Sequence, residues 1–126
     1  MIQTHEAIKK TKLATIDWLA EHFPAAFFKQ SKHVKPLKIG IFDDIIDFYE
    51  RLDSAPFSKK ALREGLNYYS ASPGYLQNQK ANAARVDLFG NEVDVVTEEQ
   101  AKYAFARHQQ RYVEKKIMVS DKPTGN

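Results

Sequence analysis

Apolar residues recur at helical spacing in several stretches of the chain, and short polar or proline-bearing breaks divide them. Leu13, Ile16, Leu19, Ala20 and Phe23 form the first stripe, which Pro24 limits, and Trp18 lies beside it to cover its edge. Phe27 and Phe28 make a short apolar anchor ahead of a basic loop from Lys29 to Lys38. The next stripe runs through Ile41, Ile45, Phe48 and Leu52, widened by Phe42, Ile46 and Tyr49, with Asp43, Asp47 and Glu50 on the opposite face. Pro36 denies Lys35 the helical region, and Gly40 stands where this new period begins. The run from Lys35 to Phe42 therefore reads as an extended, lysine-bearing loop delivered onto a helix start.

Beyond Pro56 the pattern resets. Ser58 is an N-cap for a helix through Leu62, Leu66 and Tyr69. Ser72-Pro73 is a second start signal, because serine caps and proline suits the first helical position, and a short helix through Tyr75, Leu76 and Gln79 follows. Arg85-Val86-Asp87-Leu88 and Glu92-Val93-Asp94-Val95 alternate polar and apolar around Phe89-Gly90-Asn91, which predicts a small hairpin. Thr97-Glu98-Glu99-Gln100 fits a capping box that opens a last helix, with its stripe at Ala101, Ala104, Phe105, His108 and Tyr112. The expected architecture is mainly α with a small β-hairpin (α+β), in one domain over residues 1–119 with a flexible tail at 120–126. There is no internal repeat.

Composition narrows the class without naming a function. With 126 residues and 43% hydrophobic content the chain supports one real core, and 28% charged residues give a well-solvated exterior. No run approaches the ~20 apolar residues of a membrane span, and no secretory leader is evident. Zero cysteines exclude disulfides, thiolate metal sites and a cysteine nucleophile, and fit a cytoplasmic protein. The excess of 19 Lys+Arg over 16 Asp+Glu is too small to diagnose nucleic-acid binding, so the placement of the charges has to decide.

Basic residues fall in patches. Lys29, Lys32, Lys35 and Lys38, with His33, crowd one loop; Lys59 and Arg63 stand four apart on one helix face, which Asn67 continues; Lys80 and Arg85 bracket the turn into the hairpin. Tyr68, Tyr69 and Tyr75 interleave with them. Cations that neutralise phosphates, beside rings that stack on unpaired bases, are what RNA ends and single strands require. Equally, any helix has a charged face and any core has tyrosines. The start of the short helix, Ser72 to Tyr75, offers unpaired backbone N–H groups to an anion, and Gly74 permits close approach to that backbone. On residues alone it is also an ordinary capped helix.

The blocks PLKIGIF (Pro36–Phe42), SKKALREGLNYY (Ser58–Tyr69), GYL (Gly74–Leu76) and ARVDLFGN (Ala84–Asn91) occur in the order and spacing of the ProQ/FinO family of bacterial RNA chaperones. The chain resembles that family from about Leu19 to about Tyr112. The resemblance implies a ProQ/FinO-like helical domain and non-catalytic binding of structured RNA. The implied ligand ends in a stem-loop and a short 3′ single strand, as in an intrinsic terminator hairpin. Small RNAs, mRNA 3′ ends and terminator hairpins are the implied partners, with protection of the RNA and help in pairing small RNAs with messages as the implied role.

By the same resemblance, Lys59 and Arg63 match basic residues of an RNA-facing concave surface, and the cap at Ser72 and Gly74 helps form a pocket for the RNA 3′ end. Tyr75 and Arg85 match the tyrosine of the YL motif and the arginine of the RVDL motif, and Lys38 matches the second basic position of the PLKIG loop. Tyr69 and Lys80 complete the expected RNA-binding set. Asn67 stands where family members often carry a further arginine, and Pro73 and Gly74 where a tryptophan–arginine pair is usual. These departures bear on the duplex part of the ligand rather than on the fold.

Two other readings stand beside this one. The basic face could meet an acidic protein partner, or Asp43, Asp44, Asp47 and Glu50 could hold Mg²⁺ and cut RNA. The acidic spacing is equally that of a solvated helix face far from the ligand, and no general base or lysine partner is placed beside it by sequence. No catalytic residue, metal or cofactor is therefore expected. His5, His22, His33 and His108 lie at no metal-binding spacing, and His108 reads as a half-buried core residue. No phosphate loop, nucleophile elbow or dinucleotide fingerprint is present. Nothing suggests a membrane partner or an obligate oligomer.

Overall fold

The computed structural model describes residues 5–114. Helices α1 (His5–His22), α2 (Ile41–Tyr49), α3 (Lys59–Ser70), α4 (Pro73–Asn78) and α5 (Glu98–His108) are joined by a strand pair, β1 (Ala84–Val86) and β2 (Glu92–Val95), set between α4 and α5 in the chain. A 3-10 turn at Ser31–His33 interrupts the basic loop, and a π-helical turn, Gln109–Glu114, continues α5. The mainly helical architecture with a small hairpin is as the sequence predicts. The tail expected at 120–126, and residues 115–119 of the expected domain, lie outside the described residues.

The helix starts follow local chemistry. Ser58 Oγ accepts the Ala61 N–H at 3.0 Å, and Ser72 Oγ accepts the Tyr75 N–H at 3.4 Å with Pro73 at the first helical position. Thr97 and Gln100 satisfy each other's backbone N–H in a full capping box. Gly40 precedes α2 at φ 85°, a left-handed turn that a side chain resists.

Helices α1 to α4 bury one face each on a shared core of Leu19, Phe23, Phe27, Ile45, Leu62 and Val86, each worth about 1.5–3 kcal/mol when fully removed from water. Trp18 covers the edge of that core, 5.5 Å from the Tyr49 ring. Helices α1 and α3 touch at Gly65, where an added Cβ would sit 1.9 Å from Thr15 Oγ1. Thr15 is fully buried there, its hydroxyl donating to the Lys12 carbonyl at 2.7 Å. The α1 stripe leaves the core beyond this contact, so Leu13 is exposed at the rim.

The hairpin departs from expectation in two ways. Its first strand starts at Ala84 and ends at Val86, because Asp87 turns its carboxylate onto the N–H groups of Phe89 and Asn91, each at 2.9 Å. The pairing Arg85↔Asp94 then Val86↔Glu92 leaves Val93 as the extra residue of a bulge, and all of β2 is exposed. Alternation in β2 therefore marks no buried face; Val86 and Leu88 carry the packing.

On its other edge β1 pairs with the proline loop. Val86 N–H donates to the Pro36 carbonyl at 3.0 Å, and Lys38 N–H to the Val86 carbonyl at 2.8 Å. Of the expected α5 stripe only Ala104 is fully buried, and Phe105 is exposed, since α5 packs on the short α4 rather than on the main core. His108 and Tyr112 are half-buried, as expected for His108. No described helix is long and apolar enough to cross a membrane.

Candidate nucleic-acid interface

The residues that the sequence puts forward meet first at Leu37. Tyr75, held in the first turn of α4, is buried, and its hydroxyl oxygen accepts the Leu37 N–H at 3.0 Å. Arg85, on β1, is buried as well, and its Nη1 donates to the Leu37 carbonyl at 2.9 Å. Its Nη2 donates to Gln100 Oε1 at 3.1 Å, the same oxygen that accepts the Thr97 N–H in the α5 capping box. Both polar backbone groups of Leu37 are thus gripped by side chains from α4 and β1. Arg85 Nε is buried without a hydrogen-bond partner among the described residues.

Lys38 emerges next to this knot and pairs with Asp44 at 2.8 Å. The bond to Asp44 holds its ammonium above the ordinary lysine range against a partial desolvation penalty, with Asp87 adding attraction. At Asp87 partial desolvation pushes upward. It is outweighed by the backbone N–H groups of Asn91 and Phe89, the Asn91 amide and the charge of Lys38, so this carboxyl sits below its usual value.

Tyr69 belongs to the same framework. Its buried hydroxyl oxygen accepts the Phe28 N–H at 3.0 Å. Burial pushes this phenol up, the Phe28 bond pulls it part of the way back and Tyr75 adds to the rise, so it is neutral in the physiological range. Ser72 Oγ donates to the Tyr69 carbonyl at 2.7 Å while capping α4. The close approach at Gly74 is made by the protein itself: an added Cβ would lie 2.8 Å from the Ser31 Cβ. Asn78 fastens the same basic loop, donating to the carbonyls of Ser31 and Val34 at 2.8 Å each. A depression of about 310 Å³ opens beside this cap, with Phe28, Lys29 and Tyr68 in its wall.

Lys59 and Arg63 lie in a separate depression of about 500 Å³ between α2 and α3. Lys59 pairs with Glu50 at 3.0 Å, whereas the Arg63 guanidinium stands 4.3 Å from the Phe42 ring centroid. Asp43 and Asp47 share that depression. The acidic face of α2, expected to lie far from any ligand, meets α3 because these two amphipathic helices pack side by side. Lys80 is elsewhere, in a groove of about 800 Å³ between α4 and α5 with Lys102, Phe105 and His108.

The acidic helix also has partners that the sequence does not place: Asp44 holds Lys38 and Glu50 holds Lys59. Among the described residues no group of three or more His, Asp or Glu is arranged to hold a metal ion. Sequence reasoning passed over Lys12, Arg107 and Arg111, which line a cleft with Asn67 and Tyr68. The spacing of Arg107 and Arg111, four apart on the last helix, was an available signal; the convergence with Lys12 was not.

The chain is 43% identical over 104 residues to the RNA chaperone ProQ of Aeromonas salmonicida (strain A449), covering 82% of this chain and 47% of that one. It is 40% identical over 117 residues to the RNA chaperone ProQ of Idiomarina loihiensis, covering 93% of this chain and 52% of that one. The chain thus spans about half the length of these curated relatives. The solution structure of a ProQ homolog from Legionella pneumophila matches with 69% identity and a TM-score of 0.74, covering 89% of this chain and 92% of that one. A FinO-like RNA chaperone from Neisseria meningitidis MC58 has the same fold at 23% identity, with a TM-score of 0.60 and coverage of 81% and 84%. The profile of the ProQ/FINO family matches residues 9–118, and the chain belongs to that family.

Proposed function

We propose that this protein is a non-catalytic RNA-binding chaperone that recognises a stem-loop followed by a short 3′ single strand, as at an intrinsic terminator. The observation that carries the reading is the knot at Leu37. Tyr75, Arg85 and Gln100 hold the Lys38 loop, the start of α4 and the hairpin as one preorganised unit, so a ligand meeting them pays little ordering cost. Relatives that match most of this chain carry the name RNA chaperone.

In this reading the Gly74 N–H faces the terminal nucleotide, since Pro73 has no N–H and Ser72 Oγ takes that of Tyr75. Tyr75 accepts from Leu37, which leaves its own O–H able to donate, and the spare donors of Arg85 and the ammonium of Lys38 supply charge. Lys59, Arg63 and Lys80 contact phosphates, Ser72 sets the cap, and Tyr69 holds Phe28 and the α4 start in place. The partners are small RNAs and mRNA 3′ ends, in the cytoplasm, with the protein acting as a monomer.

The test is a binding titration with one terminator hairpin carrying a 3′-hydroxyl, a 3′-phosphate or a 3′ extension, with and without Mg²⁺. The hydroxyl form should bind best, 5′ extensions should be neutral, and no RNA should be cut. Equal affinity for all three termini removes the 3′-end pocket, and Mg²⁺-dependent cleavage lost in Asp43→Asn would promote the nuclease.

A further inference from the structure

The row Lys59, Arg63 on α3 reaches Asn67 one turn later, and there the surface opens into a cleft of about 480 Å³. Lys12 from α1 and Arg107 and Arg111 from the last helix converge on it, with Glu64 as its one carboxylate. Tyr112 anchors this arrangement: its hydroxyl donates to the Ala71 carbonyl at 2.7 Å and fastens the π-helical turn to the end of α3.

Three cations of the Lys38 loop and the α2–α3 depression are already ion-paired, whereas Arg63 there faces a ring as the cations of this cleft do. Lys29, Lys38 and Lys59 each hold a carboxylate within 3.0 Å. Among the described residues, Lys12, Arg107 and Arg111 hold none; their neighbours are ring faces, with Tyr68, Tyr103 and Tyr112 centroids 5.8, 5.8 and 5.9 Å away. Glu64 pairs with Lys60 at 4.0 Å, and no ion pair among the described residues joins it to Arg107 or Arg111. A ring contact orients a guanidinium without cancelling its charge. Three cations facing one carboxylate therefore leave a net positive cleft that binds anions without first breaking an ion pair.

We propose that this cleft is a second RNA contact, which takes the phosphodiester backbone of the stem, with Arg107 and Arg111 as its charged donors and Lys12 beside them. The proposal rests on the RNA-binding reading above. The stem is favoured over the single strand because unpaired bases need free ring faces for stacking. Here the ring that lines the cleft, Tyr68, has the Lys12 ammonium over it. What remains is charge, which serves a duplex recognised by shape and backbone. Asn67, the one neutral position in the α3 row, then needs no charge of its own, since Arg107 and Arg111 stand around it.

The experiment uses the full chain and two hairpins that share one 3′ tail but differ in stem length, plus the tail alone. Arg107→Ala/Arg111→Ala should weaken the long-stem hairpin by about threefold to tenfold and flatten its log–log salt slope by roughly one unit per arginine. The tail alone should be unaffected, and Arg107→Lys/Arg111→Lys should restore most of the loss. Arg111→Glu, at an exposed position, gives the same reading by charge reversal if the double variant is unstable. Unchanged affinity and slope for the long stem, with Lys59→Ala/Arg63→Ala still impaired, overturns this inference and leaves the RNA-binding reading intact. Equal losses on the tail alone overturn the assignment to the stem. Absence of hairpin binding by the unaltered protein overturns both.

Discussion

Replacing Tyr75 by Phe tests whether this tyrosine acts by holding the proline loop. The ring keeps its place, so no cavity forms, and only the acceptor of the Leu37 N–H is lost. Both residues are buried, Tyr75 at 7% exposure and Leu37 at 3%, so water cannot replace the phenol. A buried donor left unsatisfied costs about 1–3 kcal/mol. The loop keeps its pairing to Val86 and the Arg85 bond to Leu37, which is why the loss stays within that range. For a chain of this size that corresponds to a fall in Tm of roughly 3–12 °C.

Thermal and urea unfolding measure the total, and amide exchange of Leu37 by NMR reads the bond itself. Protection at Leu37 should drop while the Val86 N–H, bonded to the Pro36 carbonyl, and the Lys38 N–H, bonded to the Val86 carbonyl, keep most of theirs. RNA affinity should fall with stability, because the loosened Lys38 loop must be ordered on binding. A Tm within about 1 °C of the parent, with Leu37 still protected, would refute the reasoning. An unchanged Tm with affinity lost would make the phenol a ligand contact instead of a brace.

Four further outcomes follow from named contacts. Gly65→Ala drives a Cβ into Thr15 and should cost about 1–3 kcal/mol by denaturant titration, and Thr15→Ala in the same chain should recover part of it by removing the Oγ1 that lies 1.9 Å away, while the Thr15 Cβ at 2.9 Å stays. Arg63→Ala should flatten the salt dependence of RNA binding by about one unit, and Lys59→Ala by less, because Lys59 must first give up Glu50; equal slopes would argue against that pairing in solution. Asp43→Asn or Asp47→Asn should tighten RNA binding modestly by removing a negative charge from the depression of Lys59 and Arg63, and a weakened affinity would contradict the shared site. Asp87 has a carboxyl below its usual value, so its contribution to stability is complete above the unfolded value of 3.8 and disappears as pH falls through the lower folded value; Asp87→Asn should remove that acid-limb component from a plot of Tm against pH.

What the sequence determined is what depends on neighbours a few residues away. Ser58, Ser72 and the Thr97–Gln100 box start their helices through bonds three residues long, and Gly40 turns the chain because of its own backbone freedom. The stripes through Ile16, Leu19, Ile45, Leu62 and Leu66 announce a helical core because period and burial are linked along one helix. Even the family motifs are local strings. None of these states which helix meets which, and there the sequence falls silent.

Tertiary structure alone decided that Tyr75 and Arg85 close on Leu37, 38 and 48 residues away, and that both side chains are buried there. It also decided that the acidic face of α2 shares a depression with Lys59 and Arg63, and that Gly74 makes room for Ser31. Leu13 and Phe105 sit on apolar stripes yet end exposed, because periodicity fixes a face but not how far the core extends beneath it. The cleft of Lys12, Arg107 and Arg111 assembles three cations from opposite ends of the described chain, and a sum over charges along the sequence cannot register that field. Electrostatics depends on distance in space, and only the packing of α1, α3 and α5 sets those distances.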